Sequence, residues 1–212
     1  FSGSPVFGGY AEYMRGAWQW RLSYAQLRFE NDFPVTELRE GLLASGIPSA
    51  AIAADALSVA GKRVDYYSAG VVYDKGPLQA QLMLGRTTHE SPVFEDSVSG
   101  YGLLGYRFSS LTPYAGYSFA RSSAKFLDTG LPDAVPQFAA LNAAVESAMG
   151  RSHVDQNSVF LGVRWDVQPN VALKVQWDRV RGSSDSTAFV QGEREDWNGE
   201  TDVLSLKLDF VF

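Results

Sequence analysis

Hydrophobic and polar residues alternate with a period of two over most of this 212-residue chain. The clearest run closes the sequence, Leu204-Ser-Leu-Lys-Leu-Asp-Phe-Val-Phe212. Leu204, Leu206, Leu208, Phe210 and Phe212 are apolar. Ser205, Lys207 and Asp209 are polar, and only Val211 departs from the pattern. A period of two places alternate side chains on opposite faces of a β-strand. A strand left so bare on one face fits a wall with lipid on one side and water on the other. Similar runs predict nine strands, at 6–15, 18–30, 63–74, 78–88, 97–109, 112–125, 157–167, 170–181 and 202–212.

The connections between these strands fall into two classes. Four are tight: Arg15-Gly16-Ala17, Asp74-Lys75-Gly76-Pro77, Ser109-Ser110-Leu111-Thr112 and Val167-Gln168-Pro169-Asn170. Gly, Pro, Asn and Ser supply their turn dihedrals. The others are long, at 31–62, 89–96, 126–156 and 182–201. Short and long connections alternate strictly. An up-and-down membrane barrel is built this way, with periplasmic turns at one rim and extracellular loops at the other. A Greek-key sandwich has no reason to segregate its loops.

The expected fold is all-β: an antiparallel up-and-down transmembrane β-barrel, one domain over 1–212, with helical patches in long extracellular loops. One patch is Val35 to Leu43, after Pro34, with Leu38, Leu42 and Leu43 at helical spacing. The other is Val135 to Met149, with Phe138, Leu141 and Val145 in step and Gly150 at the stop. Such loops either fold into a pore or pack as a cap on the rim. The sequence leaves both open.

The strand number carries a consequence. A closed antiparallel barrel with both ends at one rim needs an even number, and nine is odd. One expectation is that 1–212 forms the C-terminal part of a longer barrel. The alternative leaves 6–15 outside and closes eight strands over 18–212, with an interior filled by side chains.

Alternation also assigns faces. Trp18, Trp20, Leu22, Leu82, Leu104, Leu161, Val175 and Trp177 are expected to face lipid, together with Leu206 and Leu208. Leu27 and Phe29 break the phase of Trp18 to Tyr24, which predicts a bulge near Ala25. A mid-membrane Arg or Lys against lipid costs about 2–4 kcal/mol, so the charged residues of these strands belong on the water side. The expected pore-lining set is Arg21, Arg107, Arg164, Lys174, Asp178, Lys207 and Asp209, with Asp166 among them. In one reading the basic members outweigh the acids and bias passage toward anions. In the other, Arg–Asp pairs brace the wall without selecting anything.

Composition narrows the remaining classes. A net charge of −6 argues against nucleic acid as a partner. The absence of Cys excludes a disulfide scaffold. Hydrophobic residues make up 45% of the chain, yet no stretch approaches the ~20 apolar residues of a membrane helix. Thirteen Phe and ten Tyr suit the aromatic girdles of a barrel. The chain starts at Phe1 with no signal peptide, which reads as a mature form or a fragment.

Loop 182–201 holds Asp185, Glu193, Glu195, Asp196 and Glu200 against Arg194. Such a run either binds Ca²⁺ or, more commonly, is a solvated face. The two histidines are His89 and His153, the latter flanked by Ser152 and Asp155. Sequence neighbours rarely form a catalytic triad. No phosphate loop, zinc spacing or dinucleotide fingerprint is present. No enzyme activity, metal or cofactor is expected.

The stretch Val159-Phe-Leu-Gly-Val-Arg-Trp-Asp-Val-Gln-Pro-Asn-Val-Ala-Leu-Lys-Val-Gln-Trp-Asp-Arg-Val-Arg181 resembles the penultimate hairpin of Gram-negative outer-membrane porins. Leu206 to Phe212 resembles their final strand. The likeness covers about a quarter of the chain. It implies a barrel of about 16 strands, usually a homotrimer, seated among bilayer lipid and lipopolysaccharide in the bacterial outer membrane. It implies passive diffusion of small hydrophilic solutes or ions. It also implies that the terminal Phe212 is read by the outer-membrane assembly machinery.

Overall fold

A computed structural model describes residues 3–183, 186 and 198–211. Nine strands form one antiparallel sheet in which sequence neighbours are spatial neighbours. They are β1 (Val6–Arg15), β2 (Trp18–Arg28), β3 (Arg63–Lys75), β4 (Leu78–His89), β5 (Asp96–Tyr106), β6 (Leu111–Ser123), β7 (Asp155–Gln168), β8 (Val171–Gly182) and β9 (Glu200–Phe210). The alternation places each of them correctly to within three residues.

Segment 6–15 is a full member of the sheet. It pairs with β2 through an unbroken register from Val6↔Leu27 to Arg15↔Trp18. β1 and β9 form the two edges and do not pair with each other. The arrangement that left 6–15 outside is therefore corrected.

Tight hairpins join the strands at one end. Arg15 pairs with Trp18 and Lys75 with Leu78, which leaves two-residue loops. Gly16 and Gly76, first in each loop, have φ of +59° and +58°. Glycine is the residue that takes this left-handed conformation without strain, and the resulting turn matches the strand twist. Ser109 takes the same place between Phe108 and Leu111 with φ +55°.

The two faces of the sheet differ in chemistry. One is apolar and exposed: Leu22, Leu82, Leu104, Leu161 and Leu206 are 50–72% accessible. Its apolar stretch runs from Trp18 to Tyr24 in β2, from Leu78 to Leu84 in β4 and from Phe210 to Leu204 in β9. Past the limit nearer the long loops the same face turns charged, at Asp65, Arg86, Arg121, Arg179 and Asp202. Many of these charges are paired, as in Arg179 with Asp202 at 2.7 Å.

The apolar band is oblique to the ladder. One row of pairs links Trp18, Tyr73, Ala80, Leu104, Ala115, Leu161, Trp177 and Leu204. In β2 this row lies at the turn-side limit of the band. In β9 it lies at the opposite limit. The band thus shifts six residues, roughly 20 Å, over seven strand spacings, roughly 34 Å, which sets the strands about 30° from its normal.

The bulge expected near Ala25 is absent. The β1–β2 and β2–β3 registers run straight through it, with Gly8↔Ala25 and Ala25↔Tyr66 in sequence. The faces exchange character here instead of the backbone changing phase. Leu27, Phe29 and Val64 stay on the polar face and meet a hydrophobic cap. A register shift does occur between Asp166 and Gln168 of β7.

The cap is made by helices α1 (Thr36–Ala44), α2 (Pro48–Ala56) and α3 (Pro136–Gly150) with the loop between β4 and β5. Leu42, Ala50, Ala53, Leu57, Val145 and Met149 are buried together with Phe29 and Val93. The buried core of the molecule sits in this cap. Phe138 and Leu141 of α3 and Leu38 of α1 pack against it, as their spacing predicts, whereas Leu43 is 53% exposed. A Cβ on Gly41 would lie 2.8 Å from Leu141 Cδ2, so a side chain there would push the Leu141 side chain of α3 aside. The two longest described loops thus join over one end of the polar face. Among the described residues no helix is long and apolar enough to cross a membrane, which bears only on helices. Asp185, Glu193, Arg194, Glu195 and Asp196 of the expected acidic run, and the terminal Phe212, lie outside the described residues.

Candidate functional site

The polar face of the strands is the candidate site, and register fixes its members. Arg21, Arg164, Lys174, Asp178, Lys207 and Asp209 all share it, with Asp166. Arg107 follows β5 and turns its guanidinium to Asp74 of β3, with two contacts of 2.7 Å. Each expected lining residue therefore belongs to one surface.

Nearly all of these charges have local partners. Arg164 holds Asp166 at 2.7 Å. Asp209 is shared by Lys174 at 3.0 Å and Lys207 at 2.9 Å. Asp178 accepts from the Gln176 amide at 2.9 Å. Arg21 lies over the Tyr10 ring, 4.1 Å from its centroid, with Glu12 as its cross-strand neighbour. Partly exposed pairs of this kind are worth little each to stability, and their fields cancel within a few ångströms.

Two acids escape a reading of sequence alone. Asp74 falls in the stretch Asp74-Lys75-Gly76-Pro77 that the sequence reads as a turn, so its face in β3 is hard to assign before the register is known. Glu12 belongs to a strand with apolar residues on both faces. With both included, the polar face carries Arg21, Arg107, Arg164, Lys174 and Lys207 against Glu12, Asp74, Asp166, Asp178 and Asp209. The expected basic excess is absent among the described residues.

Between these charges lie neutral hydrogen-bonding pairs. Tyr114 donates to Gln176 Oε1 at 3.0 Å and Tyr101 to Gln81 Oε1 at 3.4 Å. Tyr114 lies flat across Gly162 of β7, and Phe160 across Gly116 of β6, so neither glycine has room for a side chain. Gln79, Gln81, Arg107, Tyr114, Arg164 and Lys174 line a common hollow of about 540 Å³ on this face.

The cap is tied down by polar contacts. Asp32 accepts from the amides of Val59 at 2.7 Å and Ala60 at 2.9 Å, and from the Ser58 hydroxyl at 2.9 Å. Arg39 approaches it at 3.2 Å. Desolvation pushes the Asp32 carboxyl upward, but these donors outweigh it and hold it below the usual carboxylate range. His153 Nδ1 lies 2.8 Å from Glu95 Oε2, and the Ser122 hydroxyl donates to the same carboxylate oxygen. Ser122 Oγ also lies 3.3 Å from that same imidazole nitrogen. Acid and hydroxyl thus both meet the same ring nitrogen. The trio fastens the β4–β5 loop to the segment after α3. Asp155 instead faces Arg121 at 3.8 Å, and Ser152 accepts from the Glu95 amide at 2.9 Å. His89 lies apart, against Phe94 and Asp96.

No protein-family model matches this chain, and no curated protein is significantly similar to it.

Proposed function

We propose that the sheet is part of the wall of a porin-like outer-membrane β-barrel through which small hydrophilic solutes or ions diffuse passively. The observation that carries this reading is the oblique apolar band. A band of roughly 20 Å measured along the strand, bounded by charge on the side of the long loops and by the tight hairpins on the other, is comparable with the ~25 Å apolar belt of membrane barrels. Its slant of about 30° is near the 35–45° tilt of strands in membrane barrels. A water-soluble sheet gains nothing by exposing so much contiguous apolar surface.

The polar face then lines the lumen and the apolar face meets lipid. Trp18, Tyr73, Tyr106 and Trp165 sit at one limit of the band, and Tyr24, Tyr67 and Trp177 at the other, where aromatic girdles belong. Short hairpins lie at the periplasmic rim and the cap at the extracellular rim. The unpaired edges of β1 and β9 favour a barrel completed by further strands, because an open edge in lipid leaves backbone groups without partners. The pairing of β1 favours this over a small eight-stranded barrel. Homotrimer assembly belongs to the same reading.

Planar-bilayer recording of the protein extracted from outer membranes tests it. Large, stable conductance steps are expected. A protein that folds in the membrane and gives no steps would leave a structural or adhesive barrel.

A further inference from the structure

We infer that this part of the wall favours uncharged polar solutes over ions of either sign. The inference rests on the porin reading and specifies its substrate class. Two independent features of the polar face carry it.

The first is charge compensation. Among the described residues of the strands, the polar face carries five cationic and five acidic side chains. Compensation is local as well as overall: Arg107 meets Asp74, Arg164 meets Asp166, and Asp209 meets both Lys174 and Lys207. A narrow lumen with low-dielectric walls amplifies the field of an excess charge. A row of closed pairs gives that geometry no net charge to amplify. An anion passing Lys174 also passes Asp209.

The second is the chemistry between the pairs. Tyr114–Gln176 and Tyr101–Gln81 present amide and phenol groups that accept and donate without carrying charge. Tyr10 adds an aromatic ring, 65% exposed, on the same face of β1. Planar amides beside aromatic rings suit a solute with hydroxyls at its edge and C–H groups on its face. A polyol or small sugar has that form. A halide or a metal cation has no C–H face to lay on the rings.

The experiment measures K⁺/Cl⁻ permeability ratios in bilayers at low salt, and liposome swelling with glucose and with glucuronate. The native protein is expected to give a ratio within about twofold of unity, and glucuronate should enter no faster than glucose. The paired variant Asp74→Asn/Arg107→Gln should keep that ratio, whereas Asp209→Asn alone should shift it at least twofold toward Cl⁻ by freeing two lysines. Heat-modifiable gel mobility reports folding of each variant. If a variant does not fold, Asp166→Asn/Arg164→Gln replaces the pair and Asp209→Glu serves as its conservative control. A native ratio beyond fivefold, or a paired variant that shifts as far as Asp209→Asn, overturns the inference while the pore stands. Absence of conductance overturns the porin reading itself.

Discussion

Gly162 and Gly116 show how single positions set the polar face. Tyr114 and Phe160 lie across them because no side chain competes for the space. Gly162→Ala should lower unfolding stability by about 1–3 kcal/mol, since the added methyl displaces the Tyr114 ring. It should also break the Tyr114–Gln176 hydrogen bond. Chemical denaturation in lipid vesicles would measure the loss. Adding Tyr114→Ser should recover part of it by making room for the methyl. A Gly162→Ala protein as stable as the native one would mean the ring does not lie there.

At the scale of elements, the cap behaves as a unit held partly by charge. Asp32 joins the segment before α1 to the segment after α2. Its folded pKa is depressed, so its contribution is complete above the ordinary carboxylate value and lost as pH falls through the lower folded value. Hydrogen-exchange protection across 31–62 should therefore be steady from pH 7 to about 5 and fall below about 4. Asp32→Asn should weaken the cap by about 1–3 kcal/mol at neutral pH and flatten that dependence. Protection that ignores both the mutation and acid would show that apolar packing alone holds the helices.

The same scale separates what the sequence states from what it hides. The strands are legible because their two faces meet different surroundings, so period two persists through β2, β4 and β7 to β9. Ala25 misleads because that contrast reverses near the cap, and a change of surroundings reads like a change of backbone phase. α1 and α3 announce themselves by apolar spacing. α2 does not: its run Pro48-Ser-Ala-Ala-Ile-Ala-Ala-Asp-Ala56 has weak amphipathicity and is buried through its alanines. The polar face is legible strand by strand, but its neutrality is not. Asp74 meets Arg107 across 33 positions and Glu95 meets His153 across 58. Only register brings such groups together.

For the whole molecule, the central claim is that the sheet stands obliquely between lipid and water. Face assignment gives one consequence. Cysteines replacing Leu173, Val175, Leu206 or Leu208 should resist a water-soluble thiol reagent, and those replacing Lys174 or Lys207 should react. Equal labelling would contradict the two-faced wall. The short hairpins give another. External protease on intact cells should cut within 31–62 or 126–156 and spare Gly76 and Gln168, and a cut at 74–77 would invert the orientation.

The slant of the band is tested most directly by depth. Nitroxide labels placed singly at Trp18, Ala80, Leu104, Leu161 and Leu204 all sit on one hydrogen-bond row. Their relative accessibility to oxygen and to a polar nickel reagent, measured in bilayers, reports how deep each lies. The account predicts a progression: Trp18 near one interface, Leu104 near the bilayer centre, and Leu204 near the opposite interface. Equal depth along the row, or free access of the polar reagent to Leu104, would contradict it.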